Sequence, residues 1–309
     1  MPDKPVAEVV IDERLVRSLV RSQTAGAIPD AAELPLARMA AGWDSEVWRL
    51  GDDFAVRLPR RALAAPLLLH EQLTLPRVGP AIEATGVRVP VPLVDGVPGH
   101  GYPWAWSVVP WIEGERGLDI ARSVRRGWAA PLAAALDALH VTAPADHPVN
   151  RFRGVPLAHR AAAFDERRER LAADGLLDHR EAADLAGTWR AGLAAAPWDR
   201  PPVWIHGDLH PGNLVATEGR LAGVIDFGDV TAGDPAYDLA VAWLAFDAAG
   251  RAAFIASTAD RHDAATWTRA RAWAAAVAVT LLMHSDDEPA YAQLARETIA
   301  QLTGDAALD

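Results

Sequence analysis

Two histidines, an aspartate and an asparagine crowd into HGDLHPGNLV, residues 206–215, and an Asp-Phe-Gly triplet follows at 226–228. Residues of these types could serve one of two chemistries. His206 and His210 stand four apart, a spacing that on a helix puts both rings on one face and suits zinc. Gly207 and the pair Pro211-Gly212 oppose a continuous helix there, and no Glu follows His206. The second chemistry is phosphoryl transfer. Asp208 and Asn213 have the D-x-x-x-x-N arrangement, and Asp226 heads D-F-G a short distance on, as such a reaction requires. A carboxylate at Asp208 can orient an attacking hydroxyl or accept its proton. Asn213 and Asp226 offer hard oxygen ligands suited to Mg²⁺, which takes one or two carboxylates and completes its shell from phosphates and water.

These side chains meet only if the chain between them doubles back. LVATEGRLAGVIDFGD, residues 214–229, reads as strand, turn, strand, with arms at 214–217 and 221–225. A turn centred on residues 219 and 220 places Asn213 opposite Asp226, and opposed Cα atoms lie ~4.5–5.5 Å apart. Upstream, helical spacing of apolar residues predicts a helix over 8–21. Residues 46–59 read as a hairpin turning at Gly51-Asp52-Asp53, and Pro66 can open a helix at its first turn. Residues 86–115 read as extended segments broken by Pro and Gly. Beyond them, Ala-, Leu- and Arg-rich stretches at 127–142, 157–174, 178–194 and 236–303 predict helices. The fold class is α+β: a mixed N-terminal part with an antiparallel sheet over 1–112, then a mostly helical part over 113–309, joined near 111–114. No internal repeat is present.

Composition narrows the partners. The 309 residues carry 41 acids against 30 bases, a net charge of −11, which argues against nucleic acid as a partner. The same balance is compatible with a cationic small substrate, because a cleft of one sign concentrates the other. The absence of cysteine excludes disulfides and thiolate zinc sites and is compatible with a reducing cytoplasm. No apolar run approaches the ~18 residues of a membrane span, and the N-terminus lacks the basic-then-apolar layout of a signal peptide. The only lysine is Lys4.

The stretches VWIHGDLHPGNLV, GVIDFGDVTAGDPAYDLA, GWDSEVWRLGDDFAVRLP and GYPWAWSVVPWIEGE resemble the aminoglycoside phosphotransferase (antibiotic kinase) family, relatives of the eukaryotic-type protein kinases. The resemblance implies a two-lobed protein-kinase-like fold, ATP or GTP as donor, Mg²⁺, and a small hydroxylated acceptor, often an antibiotic. It also implies Asp208 as catalytic base, Asn213 and Asp226 as metal ligands, His206 as an orienting residue of the loop, and Asp238 as an anchor of the loop's backbone. The chain departs from the kinase pattern in two places. Arg57, in AVRLP, stands where a phosphate-binding Lys is usual; it can hold phosphate bidentately and stays charged. Glu71 is its expected partner from the next helix. The glycine-rich phosphate loop is absent, and GWDSEV offers Gly42, Ser45 and backbone N–H groups instead. At the joint, an adenine would take the Pro110 carbonyl and the Ile112 N–H, since proline can accept but not donate.

Only residues 229–233 separate Asp-Phe-Gly from the segment DPAYD, which leaves no room to seat a peptide, and Gly207 replaces the arginine that senses a phosphorylated loop. A constitutively active small-molecule kinase follows. Polycationic aminoglycosides would need carboxylates near the cleft: Asp229, Asp234, and a wall of Asp286, Asp287 and Glu288. Twelve tryptophans could instead line an apolar pocket for a macrolide. Sugar, homoserine and choline kinases are further options, and a nucleotide-binding scaffold without turnover is the alternative outside catalysis.

Overall fold

Asp12 starts the first helix. Its carboxylate accepts the Leu15 N–H at 2.8 Å, so α1 runs Glu13–Gln23 in the computed structural model, which describes residues 5–259, 261–285 and 288–304. The expected start at residue 8 is therefore too early. Val9 and Val10 continue the apolar spacing but precede the cap, and Val10 is exposed.

The strands β1 (Leu36–Ala41), β2 (Ser45–Leu50), β3 (Phe54–Pro59), β4 (Val94–Gly96) and β5 (Trp106–Pro110) form one antiparallel sheet in the order β1-β2-β3-β5-β4. The β2–β3 hairpin turns at Gly51-Asp52-Asp53, with Leu50 opposite Phe54. The inner face of the sheet buries Trp48, Val56 and Leu58 of this hairpin and Trp106 and Val108 of β5 in one cluster with Val16, Leu19 and Val20 of α1. Between β3 and β4 runs α2 (Ala65–Glu83), opened by Pro66. It packs against the turn Phe227–Asp229 and delivers Glu71 beneath β3.

The rest is mostly helical. β6 (Glu115–Arg116) leads to α3 (Arg122–Arg125), α4 (Ala129–Leu139), α5 (Ala161–Ala173) and α6 (His179–Ala194). Then come β7 (Val203–Ile205), β8 (Leu214–Thr217), β9 (Arg220–Val224) and β10 (Thr231–Gly233). The chain continues through α7 (Ala236–Leu239), α8 (Val241–Ala245), α9 (Ala248–Ser257), α10 (Ala264–His284) and α11 (Pro289–Gly304). A second apolar cluster fills this part, with Trp128, Trp189, Trp204, Trp243 and Trp273 all buried in it, so these tryptophans serve chiefly as core. No helix of the described residues is long and apolar enough to cross a membrane.

The β8–β9 hairpin corrects the expected register by one residue. Its turn is Glu218-Gly219, with φ of 52° and 72°, and Thr217 pairs with Arg220. Two consecutive left-handed residues make the primed type of two-residue turn that hairpins favour. Leu214 pairs with Val224, so Asn213 faces Ile225, whose N–H donates to its carbonyl at 2.9 Å. Asp226 then leaves the strand in a left-handed conformation, φ 64° and ψ 64°.

Candidate active site

β7 ends at Ile205 and hands the chain to the loop that carries Asp208. The loop's backbone is pinned from α7: Asp238 accepts the His206 N–H at 2.7 Å and the Gly207 N–H at 3.0 Å, and is fully buried. His140 Nε2 lies 3.0 Å from the same carboxylate. His206 fixes the other side of the turn. Its Nδ1 accepts the Asp208 N–H at 3.2 Å and its Nε2 meets the Ile225 carbonyl at 2.9 Å, which assigns a neutral ring with the proton on Nε2. The ring packs on Phe227, centroids 4.5 Å apart. Zinc has no place here: His206 uses both nitrogens, and His210 Nδ1 accepts the Gly212 N–H at 3.0 Å. Among the described residues no three His, Cys, Asp or Glu side chains gather as a metal cage.

Gly207 sits at φ +82°, and a Cβ there would meet the Asp229 carbonyl oxygen at 2.4 Å. The glycine is a packing requirement of the loop as well as the absence of an arginine. Gly207→Ala is expected to shift the loop and cut kcat by about 100-fold, the cost of a displacement near one ångström. A kcat within twofold of the parent would show that the loop tolerates the methyl.

Asp208 lies 3.1 Å from Arg153 Nη2 and 3.5 Å from His210 Nε2. Asn213 Nδ2 donates to the Asp208 carbonyl at 2.8 Å and is 3.4 Å from its carboxylate. Burial would raise the Asp208 pKa, but Arg153, and after it His210, outweigh this and hold the carboxyl well below the usual carboxylate range. Asp229 responds differently: burial pushes it up, and Arg153 only partly opposes that. Arg153 also donates to the Tyr237 hydroxyl at 2.8 Å, so one guanidinium ties Asp208, Asp229 and Tyr237 together.

Arg57 and Glu71 meet as the sequence suggests. Arg57 Nη1 lies 2.7 and 2.5 Å from the two Glu71 oxygens, and Nη2 lies 3.2 Å from Asp226. Glu71 is only 2% exposed, which makes this a buried bridge between β3 and α2. Burial disfavours the Arg57 charge, but Glu71 and Asp226 more than offset it and raise its pKa; burial likewise pushes Glu71 up, against the pull of Arg57. The β1–β2 turn is closed by the Gly42 N–H on the Ser45 carbonyl at 2.8 Å, and Arg60 donates to the Gly42 carbonyl at 2.8 Å.

Asp208, Asn213, Asp226, Arg57 and Ser45 all line one cavity of about 940 Å³. Glu71 lines a small adjoining recess with Arg57, Asp208 and Asp226. Pro110 and Ile112 do not line either: Pro110 pairs with Phe54, and the Trp111 N–H between them is spent on the Asp53 carbonyl at 2.7 Å. Asp234 is drawn elsewhere, to Arg269 at 2.6 Å. Of the proposed acidic wall, Glu288 lines the cavity and pairs with Arg116 at 2.5 Å, while Asp286 and Asp287 lie outside the described residues. The sequence reading missed Arg153, Arg160, Arg167 and Tyr291, which also line the cavity.

Comparison with known proteins places the chain by family and by fold. Residues 36–273 match the profile of the phosphotransferase enzyme family. No curated protein matches the sequence closely enough to count as a relative. Among solved structures, the GDP complex of wild-type aminoglycoside 2'-phosphotransferase-IIIa superposes with a TM-score of 0.67 at 18% identity, covering 92% of this chain and 97% of that one. ADP-bound aminoglycoside phosphotransferase APH(2'')-Ib gives 0.58 at 17% identity, over 94% and 99%. Macrolide 2'-phosphotransferase MphH from Brachybacterium faecium, as the apoenzyme, gives 0.60 at 20% identity, over 94% and 98%. The shared fold is the two-lobed, protein-kinase-like one.

Proposed function

Since this chain belongs to the phosphotransferase enzyme family and is therefore a phosphotransferase, we propose that it moves the γ-phosphate of ATP or GTP to a hydroxyl of a small molecule. The observation that carries this reading is the convergence of Asp208, Asn213, Asp226 and the Glu71-held Arg57 on one cavity. Asp208 orients the acceptor hydroxyl. The acceptor oxygen bonds to the γ-phosphorus, the bond to the β–γ bridging oxygen breaks, and the hydroxyl proton passes to Asp208 as the nucleoside diphosphate leaves. Arg57, fixed between Glu71 and Asp226, reaches the donor's phosphates. That both GDP and ADP complexes exist among the similar structures supports either base in the donor.

The donor set fits Mg²⁺. Asn213 spends its amide nitrogen on the Asp208 carbonyl, and its Oδ1 has no partner among the described residues, while Asp226 adds a carboxylate. Two protein oxygens and no closed cage suit an ion that arrives on phosphate oxygens. Such an ion would neutralise charge on the transferred phosphoryl group.

Aminoglycoside-type antibiotics are the first acceptors to test, because the similar structures include kinases of that class. A second reading, a macrolide, is favoured by Trp273, Val277 and Leu281 of α10, which give the cavity an apolar wall; a metabolite such as a sugar, homoserine or choline is the further option. Incubation with Mg-ATP or Mg-GTP and a panel of each class, read by mass spectrometry for the gain of one phosphoryl group, tests the proposal. No phosphorylated product from any acceptor, with no nucleotide consumed, would end it.

Glu71→Gln is expected to raise the nucleotide KM by about 10- to 30-fold, as Arg57 loses the charge that holds it toward the phosphates. Steady-state kinetics at saturating acceptor would check this. An unmoved nucleotide KM would take Arg57 out of the donor site.

A further inference from the structure

The cavity's charges do not cancel evenly. Among the described residues, every carboxylate that lines it is already in an ion pair: Asp44 with Arg61 at 2.6 Å, Asp226 with Arg57, Asp208 and Asp229 with Arg153, and Glu288 with Arg116. Two lining arginines have no such partner. Arg160 and Arg167 are half-buried and lie within ion-pair distance of no carboxylate among the described residues; Arg160 stands over the Phe152 ring at 5.2 Å. The contrast along α5 is internal. Arg168, one residue on, reaches Asp165 at 3.5 Å and Glu169 at 3.1 Å, and Arg170 lies 3.8 Å from Asp174.

Helical spacing explains the arrangement. Arg160, Phe164 and Arg167 stand at i, i+4 and i+7, so they share one face, and all three line the cavity. α5 packs on α10, whose Trp273, Ala276, Val277, Thr280 and Leu281 step at the same spacing along the same cavity. Burial, and after it the neighbouring Arg160, push the Arg167 guanidinium below its ordinary pKa. Glu166 opposes this only in part and stands outside ion-pair distance of Arg167, so two half-buried like charges with no carboxylate in contact cost free energy that a bound anion would relieve.

We propose that the acceptor is a hydroxylated carboxylic acid, its hydroxyl at Asp208, its apolar body along α10 and its carboxylate held by Arg160 and Arg167. This rests on the phosphotransferase reading of the same cavity and names its substrate class. Arginine presents a planar fork that takes a carboxylate bidentately, a geometry a neutral ester cannot reproduce. A polycation entering the same space finds no unpaired carboxylate among the described residues and meets two unpaired guanidinium groups.

The test uses the whole protein with Mg-ATP and Mg-GTP. The acids are mandelate, quinate and 3-hydroxydecanoate, each set against its methyl ester, with kanamycin and erythromycin as the cationic arm. At least one acid is expected to exceed its ester in kcat/KM by about 10- to 100-fold, the worth of charge-assisted hydrogen bonds, and to raise the melting temperature where its ester does not. Arg160→Gln and Arg167→Gln should each raise the KM of that acid about tenfold without raising that of its ester. Arg167→Gln should melt no lower than the parent, since its side chain has no ion pair to lose, and Arg160→Gln gives up only the contact with the Phe152 ring. Kanamycin or erythromycin turning over better than the acids would overturn the proposal while leaving phosphoryl transfer standing. So would equal behaviour of acids and esters in both turnover and melting, or an acid KM that neither variant moves. Absence of any product and of nucleotide hydrolysis would instead remove the phosphotransferase reading beneath it.

Discussion

Asp208→Asn is expected to lower kcat by about 100- to 10,000-fold, the usual worth of a positioned acid–base group, with nucleotide affinity changed by no more than about twofold. The reason lies in how the carboxylate is held. Arg153 and His210 press its pKa far down, so at neutral pH it is fully ionised and a weak base. A weak base serves phosphoryl transfer because little proton movement is needed before the loose transition state; the acceptor oxygen must first be aimed. The amide of Asn keeps an oxygen but loses the charge, so the variant separates aiming from proton acceptance. The pH dependence has a fixed sign. Because the folded pKa is depressed, the contribution of Asp208 to stability is present above the unfolded value of ~3.9 and fades as pH falls below it. The kcat/KM profile should accordingly show no ionisation from Asp208 at pH 4 or above. Stopped-time product assays and calorimetry with the nucleoside diphosphate measure the two halves, and turnover by Asp208→Asn equal to the parent would remove Asp208 from the chemistry.

The parts of the site legible in the sequence are those that local rules govern. Asp208 and Asn213 lie on one loop, Asp226 follows one hairpin, and their spacing survives small errors of register. The β8–β9 turn shows such a shift: Glu218 takes φ 52°, a conformation its side chain does not advertise, and the turn falls one residue earlier than the spacing predicts. β1 escaped notice because Arg38 and Met39 interrupt its alternation, and the strand itself carries a register shift between Arg38 and Ala40. Arg153 could not have been found by spacing. It lies in the irregular segment between α4 and α5 and reaches Asp208 across 55 residues of chain. Asp234 was misplaced for the converse reason: closeness in sequence to Asp229 suggested the cleft, but Arg269 on α10 claims it. The net charge of −11 carries little information about the cavity for a related reason. It sums a whole surface, whereas the lining charges without an ion pair among the described residues are Arg160 and Arg167.

Asp238→Ala should cost more stability than any substitution among the cavity-lining side chains, about 3–5 kcal/mol, and should abolish turnover together with it. Asp238 is fully buried, and its two oxygens take the His206 and Gly207 N–H groups and face His140 Nε2. Removing the carboxylate strands two backbone donors and a ring nitrogen in a space water does not reach, and each stranded group costs about 1–3 kcal/mol. The catalytic loop has no other anchor on that side, because His206 points its ring toward Ile225 and Phe227. Asp238→Asn sharpens the test. The amide keeps one acceptor oxygen but turns an N–H group toward donors, so it should restore less than half of the lost stability while leaving the side-chain volume unchanged. Chemical denaturation of both variants reads the stability, and product assays at a temperature where both remain folded read the loop. If Asp238→Ala melted with the parent and kept its activity, the loop that carries Asp208 would owe its shape to its own sequence, and the buried carboxylate would have no part in positioning it.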